Sequence, residues 1–113
     1  MNWKTLNDEA QLTEIIERSA TVPQVIMKHS TRCSISAMAK SRLDRSKAPE
    51  GIDFHYLDLL ANRPLSNKIA EVFDVYHESP QVLVIVNGEC VYDESHSGIS
   101  MDLIVESAQA QKH

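Results

Sequence analysis

Between Val25 and Leu43 the chain changes its hydrophobic period, and a cysteine stands at the change. Val25-Ile26-Met27 is short, apolar and partly β-branched, as a strand covered on both faces would be. Ile35, Met38, Ala39 and Leu43 then recur at three- and four-residue steps, which predicts an amphipathic helix with Lys40, Ser41 and Arg42 facing outward. A covered strand feeding an amphipathic helix implies a layered α/β fold. Cys33 falls in the first helical turn, where backbone N–H groups lack intrahelical partners and the helix dipole is positive. Both features favour a thiolate, and Arg32 beside it acts in the same direction. Ser36 is one turn on and on the same helix face, giving Cys-x-x-Ser in the place where a dithiol site carries its second cysteine. The competing structural reading of Cys33 is an inert, buried small residue.

The 113 residues predict a single domain, 1–113, with one core. Hydrophobic residues at 42% and charged residues at 24% are ordinary for a globular chain, so disorder is not expected. The longest apolar run, Val82 to Val86, is far short of the roughly 18 residues of a spanning helix, so no membrane partner is expected. No apolar segment follows Lys4 at the N-terminus, which predicts no secretory signal and a cytoplasmic location. Two cysteines there are expected to be reduced thiols rather than a disulfide framework. The net charge of −5 argues against a nucleic-acid surface, and Lys40, Arg42, Arg45 and Lys47 are expected to form a solvated helix face. His55, His96 and His113 have no metal-ligand spacing with either cysteine, so no metal site is expected.

Along the chain, Asn7 or Asp8 caps a first helix that buries Leu12, Ile15 and Ile16 and ends near Ser19-Ala20. Trp3 either closes a short first strand or covers the sheet edge, and the covering role is preferred. Pro23 opens the strand leading to Cys33, and the helix after it extends to about Lys47, where Ala48-Pro49-Glu50-Gly51 breaks it. Ile52 to Asp58 alternates as a strand parallel to the first. Pro64 starts a helix capped by Asn62 or Arg63 that buries Leu65, Ile69, Val72 and Phe73. Val82 to Val86 and Glu89 to Tyr92 form an antiparallel hairpin about Asn87-Gly88, and a last helix buries Ile99, Leu103, Ile104 and Ala108. The order predicts a central mixed sheet with helices on both faces.

This pattern resembles the thioredoxin superfamily over nearly the whole chain, in its Cys-x-x-Ser at a helix start and in Ser79-Pro80 before the Val82 strand. The resemblance implies a thioredoxin-like fold with a cis-proline facing the cysteine. Within the superfamily the chain is similar to the monothiol bacilliredoxins of the YtxJ type. The runs that carry this are Lys28-His29-Ser30-Thr31, Cys33 with Ile35-Ser36, Arg63-Pro64-Leu65-Ser66-Asn67, His77-Glu78-Ser79-Pro80-Gln81 and Ser95-His96-Ser97-Gly98-Ile99. Ser34 stands where the family pattern has proline, and so keeps an amide donor. Membership implies exchange of mixed disulfides between proteins and bacillithiol, a small bacterial thiol bearing a malate. The expected partners are S-thiolated proteins and this co-substrate thiol, with no tightly bound cofactor and a monomeric chain.

Several residues keep two readings. Ser36 donates a hydrogen bond to the thiolate or caps the first turn. Pro80, with Ser79 before it, presents backbone to a substrate strand or merely begins a strand. His29 and His77 bind a carboxylate when protonated or are surface histidines with a packing role. Arg32, with the Ser34 position, recognises an anionic thiol or is a solvated loop charge. Cys90 is a small filler or a resolving thiol. Two functions compete with monothiol exchange: an iron–sulfur carrier of the monothiol-glutaredoxin kind, which Ser34-Ile35 does not fit, and a non-catalytic adaptor on the same fold.

Overall fold

The strand–helix junction that carries Cys33 leaves the centre of a five-stranded sheet. The computed structural model describes residues 2–47 and 49–110; Met1, Ala48 in the expected helix break, and His113 lie outside them. The elements are β1 (Lys4–Thr5), α1 (Glu9–Arg18), β2 (Gln24–His29), α2 (Ser34–Arg45), β3 (Asp53–Asp58), α3 (Arg63–Val72), β4 (Gln81–Val86), β5 (Glu89–Ser95), a 3-10 turn (His96–Gly98) and α4 (Met101–Ala110). The sheet order is β1-β3-β2-β4-β5. β1 and β2 run parallel to β3, whereas β4 is antiparallel to β2 and β5 to β4. β2 is therefore central, and all six of its residues are buried.

The alternation along β2 and β4 divides the core. Val25, Met27, Val82 and Val84 pack with Ala39 and Leu43 of α2 and Ile104 and Ala108 of α4. Ile26, Leu83 and Ile85 pack on the other face with Leu12 and Ile15 of α1 and Leu65 and Ile69 of α3. Helices thus cover both faces of the mixed sheet. Local signals behave as their chemistry dictates. Asp8 forms a capping box with Gln11, while Asn87 and Gly88 both take positive φ, as a two-residue hairpin turn requires.

Some expectations are corrected. Lys4–Thr5, just after Trp3, does form a strand, while the Trp3 ring packs edge-on against Phe54. Ile35 and Met38 are not on the buried face of α2: they are 55% and 64% exposed, and Ser36 takes the interior position. Val72 of α3 and Leu103 of α4 are likewise exposed, with Phe73 and Met101 buried in their neighbourhood. Within each helix the apolar residues outnumber the places on its inner stripe, so periodicity alone cannot say which are left outside.

Candidate active site

β2 ends at His29, whose carbonyl accepts from Leu59 N–H at 2.9 Å. The chain then turns through Ser30 to Cys33, closed by Cys33 N–H donating to the Ser30 carbonyl at 3.1 Å. Cys33 is the N-cap of α2, half-buried, in extended backbone (φ −106°, ψ 120°), and its side chain makes no capping bond. An N-cap acceptor is normally served by the amides two and three residues on. For Cys33 those belong to Ile35 and Ser36, first-turn amides that have no intrahelical acceptor. Ser34 is exposed in the first helical position, and Arg32 is exposed with no ion pair among the described residues.

Ser36 has a role that neither sequence reading anticipated. Fully buried, its hydroxyl accepts from Ser30 N–H at 3.0 Å and lies 2.6 Å from His29 Nδ1. In either imidazole tautomer the Ser36 oxygen therefore has two partners, and they fasten the cysteine loop to the end of β2. Its contacts are with neither the thiolate nor an amide of the helix's own first turn.

His29 is not a surface histidine; only 6% of it is exposed. Burial pushes its pKa down, the Lys40 charge adds to this, and Asp58, Ser36 and Asp44 offset part of it. His77 is half-buried and also lowered, by burial first and then by Lys28, with Glu78 opposing and Arg63 reinforcing. Both shifts favour the neutral imidazole and so run against the reading of a protonated, carboxylate-binding pair. The two rings also serve opposite faces of the sheet, His29 toward α2 and His77 toward α3.

The register pairs Lys28 with Gln81, so the segment before β4 runs past the end of β2 where Cys33 stands. The Ser79–Pro80 peptide in that segment is cis. Pro80 has no N–H, and its carbonyl already accepts from His96 N–H at 3.1 Å. Ser79 before it has a buried Oγ without a partner.

Sequence reading missed Lys28. It is fully buried in β2 and donates from Nζ to the Ser66 carbonyl at 3.1 Å and to His77 Nδ1 at 3.2 Å. Burial lowers its pKa to about 8. The signal was present: a lysine two places after Ile26 in a strand covered on both faces must point into the same interior.

Cys90 lies apart. Its thiol donates to the Tyr92 carbonyl at 3.3 Å, and burial, then Asp93, pushes its pKa up to about 11. Through β4 it is level with Gln24, five residues from the end of β2. At about 3.3 Å per residue that is roughly 16 Å along the sheet before the cysteine loop begins. A disulfide needs Cα atoms within about 7 Å, so Cys90 cannot resolve a Cys33 adduct in this fold.

Among the described residues no group of three His, Cys, Asp or Glu converges to hold a metal, and no helix is long and apolar enough to cross a membrane. A cysteine at the N-terminus of the helix following the central strand, with a cis-proline segment at the same end of the sheet, defines a thioredoxin-fold thiol protein. Solved structures agree. The chain is 32% identical, at TM-score 0.80, to a provisionally assigned oxidoreductase with a thioredoxin fold, covering 91% of this chain and 90% of that one. Thioredoxin from Trypanosoma brucei brucei matches at TM-score 0.76 with 10% identity over 96% and 89% of the two chains. Fasciola hepatica thioredoxin matches at 0.74 with 17% identity over 96% and 99%. The family model for monothiol bacilliredoxin BrxC matches residues 4–104, and the chain belongs to that family. Its function is therefore of the redox type.

Proposed function

We propose that this protein is a monothiol thiol–disulfide oxidoreductase that reduces mixed disulfides between proteins and bacillithiol, with Cys33 as nucleophile. The observation that carries the reading is Cys33 at the N-cap of α2, its sulfur without a capping bond beside first-turn amides, those of Ile35 and Ser36, that lack intrahelical acceptors. The Cys33 thiolate attacks the small-thiol sulfur of the mixed disulfide. The S–S bond breaks, the protein thiolate leaves with the electron pair, and Cys33 retains the small thiol as a new disulfide. A second thiolate from solution then attacks the small-thiol sulfur of the adduct, forming a low-molecular-weight disulfide and returning the Cys33 thiolate. The two electrons gained by the substrate protein thus come from thiols, and no bound cofactor is needed.

Ser36 in this scheme positions rather than reacts, holding the loop through His29 and Ser30. Exposed Arg32 meets the malate carboxylates, with the Ser34 amide beside it. The exposed apolar side chains Ile35 and Met38 on the cysteine helix, with Tyr76 on the segment before Pro80, meet the protein half of the substrate. The proposal includes action as a monomer in the cytoplasm, where thiols are kept reduced.

The test is intact mass after exposure of the reduced protein to oxidised bacillithiol. The expected result is one small-thiol adduct, mapped to Cys33 and cleared by added thiol with release of the unmodified chain. A protein that remains unmodified, or a modification mapped only to Cys90, would falsify the proposal.

A further inference from the structure

At its last two residues β2 sends one polar side chain to each face of the sheet. His29 reaches Ser36 in the cysteine helix; Lys28 goes the other way, into an interior where a lysine is costly. No carboxylate lies within ion-pair distance of it among the described residues. Its neighbours come from every surrounding element. Ser66 of α3 offers its carbonyl, with its hydroxyl 3.4 Å from His77 Nδ1. Gln81, the register partner on β4, donates to the Tyr76 carbonyl at 2.9 Å and leaves a buried Oε1 unpaired. Leu57, the partner on β3, is apolar. Glu78 and Arg63 are the charges that bear on His77, with opposite signs.

We propose that Lys28 is a positioning residue of the thiol site: its ammonium joins the Ser66 carbonyl to His77 Nδ1 and so holds the segment Tyr76 to Pro80 in its working place. The inference rests on the reading of Cys33 as the nucleophile. An ammonium can only donate, so His77 Nδ1 must accept and the ring proton sits on Nε2. An apolar side chain of similar length would fill the space with less desolvation cost but would leave the Ser66 carbonyl and the ring nitrogen without this donor. The contact also depends on charge. Above about pH 8 Lys28 is an uncharged amine, which keeps two hydrogens but loses the charge assistance that strengthens both bonds.

The experiment combines side-chain ¹⁵N NMR of the histidines with exchange kinetics on an S-bacillithiolated protein. In the wild type, His77 Nδ1 reads as an unprotonated acceptor whose signal titrates near pH 8 with Lys28, and in Lys28→Met that titration is absent. kcat/KM for exchange falls as pH rises through the same range in the wild type and is flat there in Lys28→Met, which is about tenfold slower at neutral pH. Alkylation of Cys33 by iodoacetamide needs no docked substrate and is the same in both. Should Lys28→Met not fold, His77→Leu and His77→Asn decide the matter. Asparagine restores an acceptor near the Nδ1 position, so His77→Asn exchanges several-fold faster than His77→Leu. Wild-type kinetics in Lys28→Met, or equal rates in the two His77 variants, overturn the proposal, as does a His77 ring blind to Lys28. If Cys33 forms no adduct in any variant, the exchange function falls, and the His77 titration still judges the Lys28 contact.

Discussion

Cys33 stands at a helix N-terminus, where the first-turn amides lack intrahelical partners, with an arginine next to it in the chain, while Cys90 lies on β5, its thiol donating to a carbonyl near Asp93. One thiol stands past the end of the central strand and the other within the edge strand, and their surroundings differ. At Cys33 the first-turn amides are donors without an intrahelical partner; at Cys90 burial and then the Asp93 carboxylate disfavour the anion and outweigh the backbone bonds of Tyr92 and Val84 that favour it. Both cysteines are half-buried, so exposure does not separate them. What separates them is where each stands, one at the start of a helix whose first amides are unpaired, the other inside a strand beside an acid.

The sharpest way to break this comparison is to remove each thiol in turn. Cys33→Ser is expected to abolish the small-thiol adduct, and Cys90→Ser to leave it at full yield, by intact mass after exposure to oxidised bacillithiol. Loss of the adduct in Cys90→Ser alone would invert the assignment.

Ser36→Cys comes next in size. Residues three apart in the first helical turn share a face at a Cα spacing that a disulfide can span. The new thiol should attack the Cys33 adduct internally, so that the adduct disappears and a chain two hydrogens lighter than the reduced protein replaces it. The same change removes the buried hydroxyl between His29 and Ser30, at a cost of about 1–3 kcal/mol in urea unfolding of the reduced variant. An adduct as long-lived as that of the parent would show that positions 33 and 36 are not a thioredoxin-type pair.

The thiol junction was legible because both of its signals are local. Val25-Ile26-Met27 and the helical spacing after Cys33 fix a strand and a helix, and Asn87-Gly88 fixes the hairpin. The polar interior was not read, because it depends on pairing across the sheet. Lys28 and Gln81 share a face only once β2 and β4 are in register, and Ser36 is interior only once α2 is rotated to bring it under His29. That rotation carries Ile35 and Met38 outward, against what their hydrophobicity suggested. In the proposed function these two exposed apolar residues, on the helix that begins at Cys33, meet the protein half of the substrate.

Arg32→Ala sharpens the comparison by removing what is charged around Cys33 and leaving the helix amides. An exposed ion pair contributes about 0.2–1 kcal/mol, so the rate with anionic bacillithiol disulfides should fall about 1.4- to fivefold. A neutral disulfide should be affected less, and added salt should narrow the difference. Equal losses on both disulfides would leave Arg32 as a solvated loop charge.

The smallest effect tests the other thiol. Cys90 has a folded pKa near 11 against an ordinary 9.0, so between those values the unfolded chain releases its thiol proton first. The folded state then binds more protons, and its stability must fall as pH rises; the contribution is whole below about pH 9 and is lost toward pH 11. Lys28 acts with the opposite sign, since its pKa of about 8 lies below the ordinary 10.5 and stability is regained as pH rises through that interval. The wild-type slope mixes the two, but Cys90→Ser and the wild type share Lys28, so the difference between their urea-unfolding curves isolates the thiol. That difference should shift in favour of Cys90→Ser from about pH 8 to about pH 10, by on the order of 1 kcal/mol once screening of a half-buried group is discounted. A difference that does not change with pH would mean that Cys90 ionises as readily in the fold as out of it, and the contrast with Cys33 would then rest on position alone.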